Sequence, residues 1–146
     1  MCGFAGFLME GEPPAYDPQR IIRKMADRIR HRGPDQDDYY VDGRAALGFR
    51  RLSIIDLEGG SQPILNEEIY NFQAIRDELV EKGHVFRTRT DSEVLLHGYE
   101  EYGPALLDRL RGMYAFVIWD SAAGRLFGAR DIFGIKPFYY YHRDGA

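Results

Sequence analysis

A single cysteine in 146 residues excludes an intramolecular disulfide and any cysteine-rich zinc site. That thiol, Cys2, is left with a place in a core, an inert surface position, or work as a nucleophile. Neither sign of charge dominates, because 19 Lys and Arg are interspersed with 23 Asp and Glu for a formal charge of -4. Without a basic stripe nothing here neutralises a phosphate backbone, so no nucleic-acid partner is expected. Apolar runs such as 113–119 are far shorter than a membrane span, and no basic segment followed by an apolar signal core opens the chain. No membrane partner is expected, and a cytoplasmic location is. The four histidines, His31, His84, His97 and His142, lack the spacing of a paired ligand motif, so solvated or core roles are expected and no metal is assigned. Internal repeats and low-complexity segments are also missing.

What is present suits one well-filled core, with 45% of the residues apolar and 14% aromatic. The stretch Cys2-Gly-Phe-Ala-Gly-Phe-Leu8 predicts a buried strand at the start of the chain. Asp17 and Pro18 supply a helix cap and first-turn residue, and Ile21, Ile22, Met25 and Ile29 recur at helical spacing. Residues 39–52 read as a hairpin around Asp42-Gly43. Asn71 caps a second predicted helix with a Phe72, Ile75, Leu79 stripe, an i, i+4 Glu78–Lys82 pair and an end at Gly83. Thr90-Asp-Ser-Glu93 is a capping-box pattern opening a third helix to about Tyr102, and a short one follows Pro104. Residues 113–119 and 126–130 form a second predicted hairpin about Ala122-Ala-Gly124, and 138–141 a further strand running into a turn at Arg143-Asp-Gly145. Strands on both sides of a helical block indicate α+β architecture. The turn at 143–145 without its return strand reads as a cut C-terminus.

Cys2 follows the initiator Met and precedes Gly3, a context in which Met1 is normally removed. The cysteine then carries its own α-amine, whose ordinary pKa of roughly 7.7–8.0 lets it take the thiol proton directly or through one water. The structural alternative is a small buried residue at a strand start. An amide-cleaving thiolate also needs oxyanion donors and an anchor for its substrate. Arg50 and Arg51 close a predicted strand, where one guanidinium can grip a carboxylate in bidentate fashion or simply pair with a nearby Asp. Asp91 can accept from a substrate ammonium or cap its own helix.

Seven ordered stretches then carry a family resemblance: Met1-Cys-Gly-Phe-Ala-Gly6, Arg30-His-Arg-Gly-Pro-Asp35, Arg51-Leu-Ser-Ile-Ile-Asp56, Glu68-Ile-Tyr-Asn71, Thr90-Asp-Ser-Glu-Val94, Leu110-Arg-Gly-Met-Tyr-Ala-Phe116 and Ala129-Arg-Asp-Ile-Phe-Gly-Ile-Lys-Pro137. Together they resemble the class II, N-terminal-nucleophile glutamine amidotransferase domain of asparagine synthetases, over almost the entire chain. The resemblance implies a four-layer αββα sandwich of two antiparallel sheets, spanning 2–146, and an enzyme that hydrolyses glutamine to glutamate and ammonia through a Cys2 thioester. It assigns the glutamine α-carboxylate to Arg51, backbone contacts to Leu52, Ser53, Ile54 and Ile55, and the α-amino end to Glu68 and Asp91.

In that family the ammonia passes to an ATP-using synthetase domain that makes asparagine from aspartate. This chain has no Ser-Gly-Gly-x-Asp-Ser loop, so no cofactor is expected in it, and ATP and Mg belong to a synthetase domain outside it. Glutamine and that domain are the implied partners, with the oligomeric state left open, a homodimer included. The family's Asn-Gly-Glu-Ile-Tyr-Asn, with an apolar strand before it, has no full counterpart here: Pro63-Ile-Leu-Asn66 runs straight into Glu67-Glu68-Ile69. Asn66 meets the family's oxyanion Asn only if Glu67 stands for the glycine, whose place needs close backbone approach. No oxyanion donor is assigned, and the gap is expected to leave sheet groups unpaired. A related synthetase with another carboxylate acceptor, or a non-catalytic glutamine-binding domain, are the other readings.

Overall fold

A computed structural model describes residues 2–9, 15–51 and 65–142 of the chain. Two three-stranded antiparallel sheets form its middle. In the first, β1 (Gly3–Leu8) and β2 (Gln36–Val41) flank β3 (Ala45–Arg51); in the second, β4 (Leu65–Ile69) and β6 (Arg125–Arg130) flank β5 (Gly112–Asp120). Helix α1 (Pro18–Arg28) covers the first sheet, while α2 (Phe72–Glu81) and α3 (Asp91–Tyr102) cover the second. The layers are therefore helix, sheet, sheet, helices, the expected αββα sandwich.

Strand alternation builds those layers. On β5, Tyr114, Phe116 and Ile118 join Ile75, Leu79, Val94, Leu95 and Leu106 in the core beneath the helices. Val117 and Trp119, on the opposite face, meet Leu47 of β3, Phe4 of β1, Leu126 and Phe138 between the sheets. On the first sheet Gly48 and Arg50 turn the other way, toward Ile22 and Ala26 of α1. Burying a side chain such as Phe116 or Leu106 stabilises by roughly 1.5–3 kcal/mol, and both are fully buried.

Several local expectations are corrected. Residues 138–141 form no strand: Phe138 seats 5.7 Å from the Phe4 ring, while Tyr139, Tyr140 and Tyr141 project into solvent. Along β1 only Gly3 is fully buried, because the strand is a sheet edge. The Glu78–Lys82 pair is replaced by partners from other elements: Glu78 accepts from Arg109 and Tyr102, and Lys82 reaches Glu101. Neither Asn71 nor Thr90 caps its helix by side chain. Asn71 instead ties to the backbone of Arg109 and Arg111, and Glu93 accepts from the Arg87 and Thr88 N–H groups, further back than a capping box reaches. The Asp42-Gly43 turn forms without positive φ at Gly43, since the Asp42 side chain itself caps it. Leu65–Ile69, which carries no strand signal in its polar sequence, pairs with β5 from Leu65↔Phe116 to Ile69↔Gly112, so the shortened segment still supplies a sheet strand. The predicted turn at 143–145 lies outside the described residues.

Candidate active site

Cys2 stands one residue before β1, partly buried. Two residues before Phe4, it shares that residue's side of the strand, which faces the second sheet. Gly3 allows β1 to start hard against the helical layer, since a Cβ there would lie 3.3 Å from Ile29 Cδ1 and 3.4 Å from Arg32. Arg32, in the 3₁₀ turn Arg30–Arg32, donates from Nε to the Cys2 carbonyl at 3.4 Å. The ladder Gly3↔Arg50, continued one step, brings Cys2 and Arg51 to one end of the first sheet.

Of the two neighbouring arginines, the structure describes the side chain of Arg50. Arg50 is buried and committed: it pairs with Asp27 and, at 3.5 Å, with Asp37, and donates to the Ala26 carbonyl. This is the structural alternative, realised at Arg50. Arg51 ends β3, and its side chain, with all of Leu52, Ser53, Ile54 and Ile55, lies outside the described residues, as do the side chains of Asn66 and Glu67.

The second sheet contributes at the same end. Trp119 Nε1 donates to Asp42 at 2.7 Å, fastening the finish of β5 to the start of β3. The start of β5, where Met113 and Gly112 pair with Glu68 and Ile69, therefore lies toward the finish of β3 and the start of β1, and β4 also touches β1. Asp91 Oδ2 accepts from the Ile69 N–H at 3.2 Å, placing the first residue of α3 beside Glu68. Burial pushes the Asp91 carboxyl above its ordinary range and the Glu68 charge adds to this, against N–H groups of Ile69, Asp91 and Ser92 that favour the anion. A half-desolvated carboxylate beside a second one, at a strand edge, suits an ammonium.

Two residues in quoted motifs, to which sequence reasoning gave no role, join this end. Lys136, buried, puts Nζ 3.9 Å from Glu68 Oε1. Asp131 accepts from the Ile135 and Lys136 N–H groups at 2.9 and 3.0 Å; burial raises its carboxyl, but those donors outweigh it and hold it below its ordinary range. Asp131 thereby shapes the turn that delivers Lys136. Their signal was the motif Arg130-Asp-Ile-Phe-Gly-Ile-Lys136, legible as a motif but not as a contact.

A family model described as the glutamine amidotransferase domain matches residues 1–146. The chain belongs to that family. This amidotransferase domain is 47% identical to asparagine synthetase [glutamine-hydrolyzing] 1 of Bacillus subtilis over 152 residues, covering 96% of the chain and 24% of the relative. It is 41% identical to asparagine synthetase [glutamine-hydrolyzing] 2 of the same organism, over 96% of the chain and 20% of the relative. Asparagine synthetase [glutamine-hydrolyzing] 3 of Arabidopsis thaliana is 40% identical over 95% of the chain and 25% of its own length. The domain thus spans a quarter or less of these relatives. Among the described residues no helix is long and apolar enough to cross a membrane.

Proposed function

We propose that this domain hydrolyses glutamine to glutamate and ammonia with Cys2 as nucleophile. The observation that carries the reading is the convergence of Cys2, the end of β3 and the Glu68–Asp91 carboxylates on one end of the sandwich. With Met1 removed, the α-amine of Cys2 takes the thiol proton and the thiolate attacks the amide carbon of the glutamine side chain. The carbon–nitrogen bond breaks as the α-ammonium returns that proton to the leaving ammonia, giving a γ-glutamyl thioester. Water then attacks the thioester, releasing glutamate and the thiol. Arg51 holds the α-carboxylate, Leu52, Ser53, Ile54 and Ile55 offer backbone contacts, and Glu68 and Asp91 hold the α-ammonium. In the full-length protein the ammonia feeds an ATP- and Mg-dependent domain that amidates aspartate in the cytoplasm; the amidotransferase domain itself uses no cofactor.

The shortened segment before Glu68 favours one second reading, a domain that binds glutamine without turnover for want of an oxyanion donor, whose loss costs about 10²–10³ in rate. Intact mass before and after 6-diazo-5-oxo-norleucine, with a glutaminase assay alongside, separates the two. The chain without Met1 is expected to gain one adduct and release ammonia, and Cys2→Ala to do neither. Full hydrolysis by Cys2→Ala overturns the proposal, and an adduct without ammonia release supports the second reading.

A further inference from the structure

On the outer helical layer, a group of side chains takes no part in the glutaminase reading. His84, in the turn after α2, and His97, within α3, bring their Nδ1 atoms to 3.3 Å of each other. Glu100, one turn further along α3, places Oε2 2.8 Å from His97 Nδ1 and 3.8 Å from His84 Nδ1. The expectation of scattered histidines thus fails in space: two of them share one point with a carboxylate.

The opposite ring nitrogens face carboxylates as well. His84 Nε2 lies 3.2 Å from Glu101 Oε2, and His97 Nε2 lies 3.7 Å from Glu93 Oε1. Those acids are anchored in turn, Glu101 by Lys82 at 2.9 Å and Glu93 by the Arg87 and Thr88 N–H groups at 2.7 Å. At His84 the carboxylate within hydrogen-bond reach of Nε2 keeps the proton there and leaves Nδ1 as a lone-pair donor, the arrangement found behind metal-bound histidines, while at His97 the carboxylate stands at ion-pair distance. The two Nδ1 atoms and the carboxylate oxygen then converge at distances that either one shared proton or a bound cation can hold. Ligand atoms around a tetrahedral ion bound at about 2.0–2.1 Å lie roughly 3.3 Å apart. The observed 2.8, 3.3 and 3.8 Å bracket that edge.

We infer that His84, His97 and Glu100 form a site for a divalent transition-metal ion of the zinc class. Imidazole selects such ions over magnesium or calcium. Exposed Glu100 leaves a fourth position to water, and the Phe86 ring, 4.7 Å from that of His97, braces the buried side. The ion clips the turn after α2 to α3 and stabilises the folded state by mass action. Its competitor is a single proton on His97 Nδ1, donated to Glu100 and shared with His84.

The test is calorimetric titration of Zn²⁺ alone, in excess Mg²⁺, into the full chain carrying Cys2→Ala so that the thiol cannot bind. One equivalent is expected, with a raised melting temperature. His97→Gln should abolish it. Glu100→Gln lies on the surface and leaves the fold intact, and Glu101→Gln removes an outer partner; each should weaken binding about tenfold or more. Unchanged zinc affinity in His97→Gln and Glu100→Gln overturns the inference. So does a chain that ignores zinc while the two histidines titrate as a coupled pair by NMR. Neither readout involves Cys2 chemistry.

Discussion

Asp42 accepts from the N–H groups of Arg44 and Ala45, the Tyr40 hydroxyl and the Trp119 indole, all at 2.7–2.8 Å. Burial pushes its carboxyl up, yet the donors outweigh it and hold the pKa at about 2. A depressed folded-state pKa contributes stability that is fully present above the unfolded value and fades as pH falls through the folded one. The window is thus between the ordinary carboxylate value of 3.8 and about 2. After discounting for solvent screening the contribution is on the order of 1–2 kcal/mol. Asp42→Asn should lose that increment at pH 7 and converge with the parent only as pH falls below about 2. Urea midpoints followed by Trp119 fluorescence check this, and a difference that persists unchanged into acid contradicts it. Residue roles of this kind differ in how far sequence reveals them. The places of Cys2, just before β1, and of Asp91, at the opening of α3, were legible because both follow from local sequence. That Arg50 is committed was not, since Asp27 and Asp37 reach it from other elements.

Elements were legible where a pattern is local. Asp17 accepts from the Gln19 N–H at 3.0 Å and Pro18 opens α1, as their order in the chain implies. The apolar run along β5 and the positive φ of Gly124 mark the second hairpin. β4 was illegible because an edge strand tolerates Asn and Glu, so its sequence carries no period of two. The His84–His97 pair was equally illegible, because one histidine sits in a turn and the other in a helix. Close approach of backbones also leaves little trace beyond a glycine. A Cβ on Gly112 would stand 2.1 Å from the Glu68 carbonyl oxygen and 2.9 Å from Ile69 Cα, both main-chain atoms that cannot swing aside. Gly112→Ala should therefore force β4 from β5 at Glu68, costing about 1–3 kcal/mol or more. A guanidinium midpoint shifted accordingly is expected, with weakened glutamine binding if Glu68 acts as proposed; an unshifted midpoint means the ladder yields freely.

At the scale of the molecule, the two interfaces of the sandwich are unequal. Among the described residues, the core between the second sheet and α2 and α3 holds many fully buried side chains, including Leu79, Val94, Leu95, Leu106 and Phe116. Between the sheets, Leu47 and Val117 are buried, and Phe4, Trp119, Leu126 and Phe138 only partly so. The Asp42–Trp119 bond ties one end of that seam, and the candidate active site occupies the other. Local opening follows the distribution of buried apolar contacts, and binding sites are drawn from its weaker end. The seam should accordingly open before the second sheet and its helices unfold. Native-state hydrogen exchange is expected to show the β5 amides of Phe116 and Ile118 exchanging only through global unfolding. The β1 amides of Ala5 and Phe7, which lie in the ladder to β3, should exchange through an opening of lower free energy and smaller denaturant dependence. Asp42→Asn should lower the β1 value further without changing the gap between β5 exchange and global unfolding. If β1 and β5 share one free energy and one denaturant slope, the sheets part only when the whole molecule unfolds, and access to Cys2 must come from movements smaller than a parting of the layers.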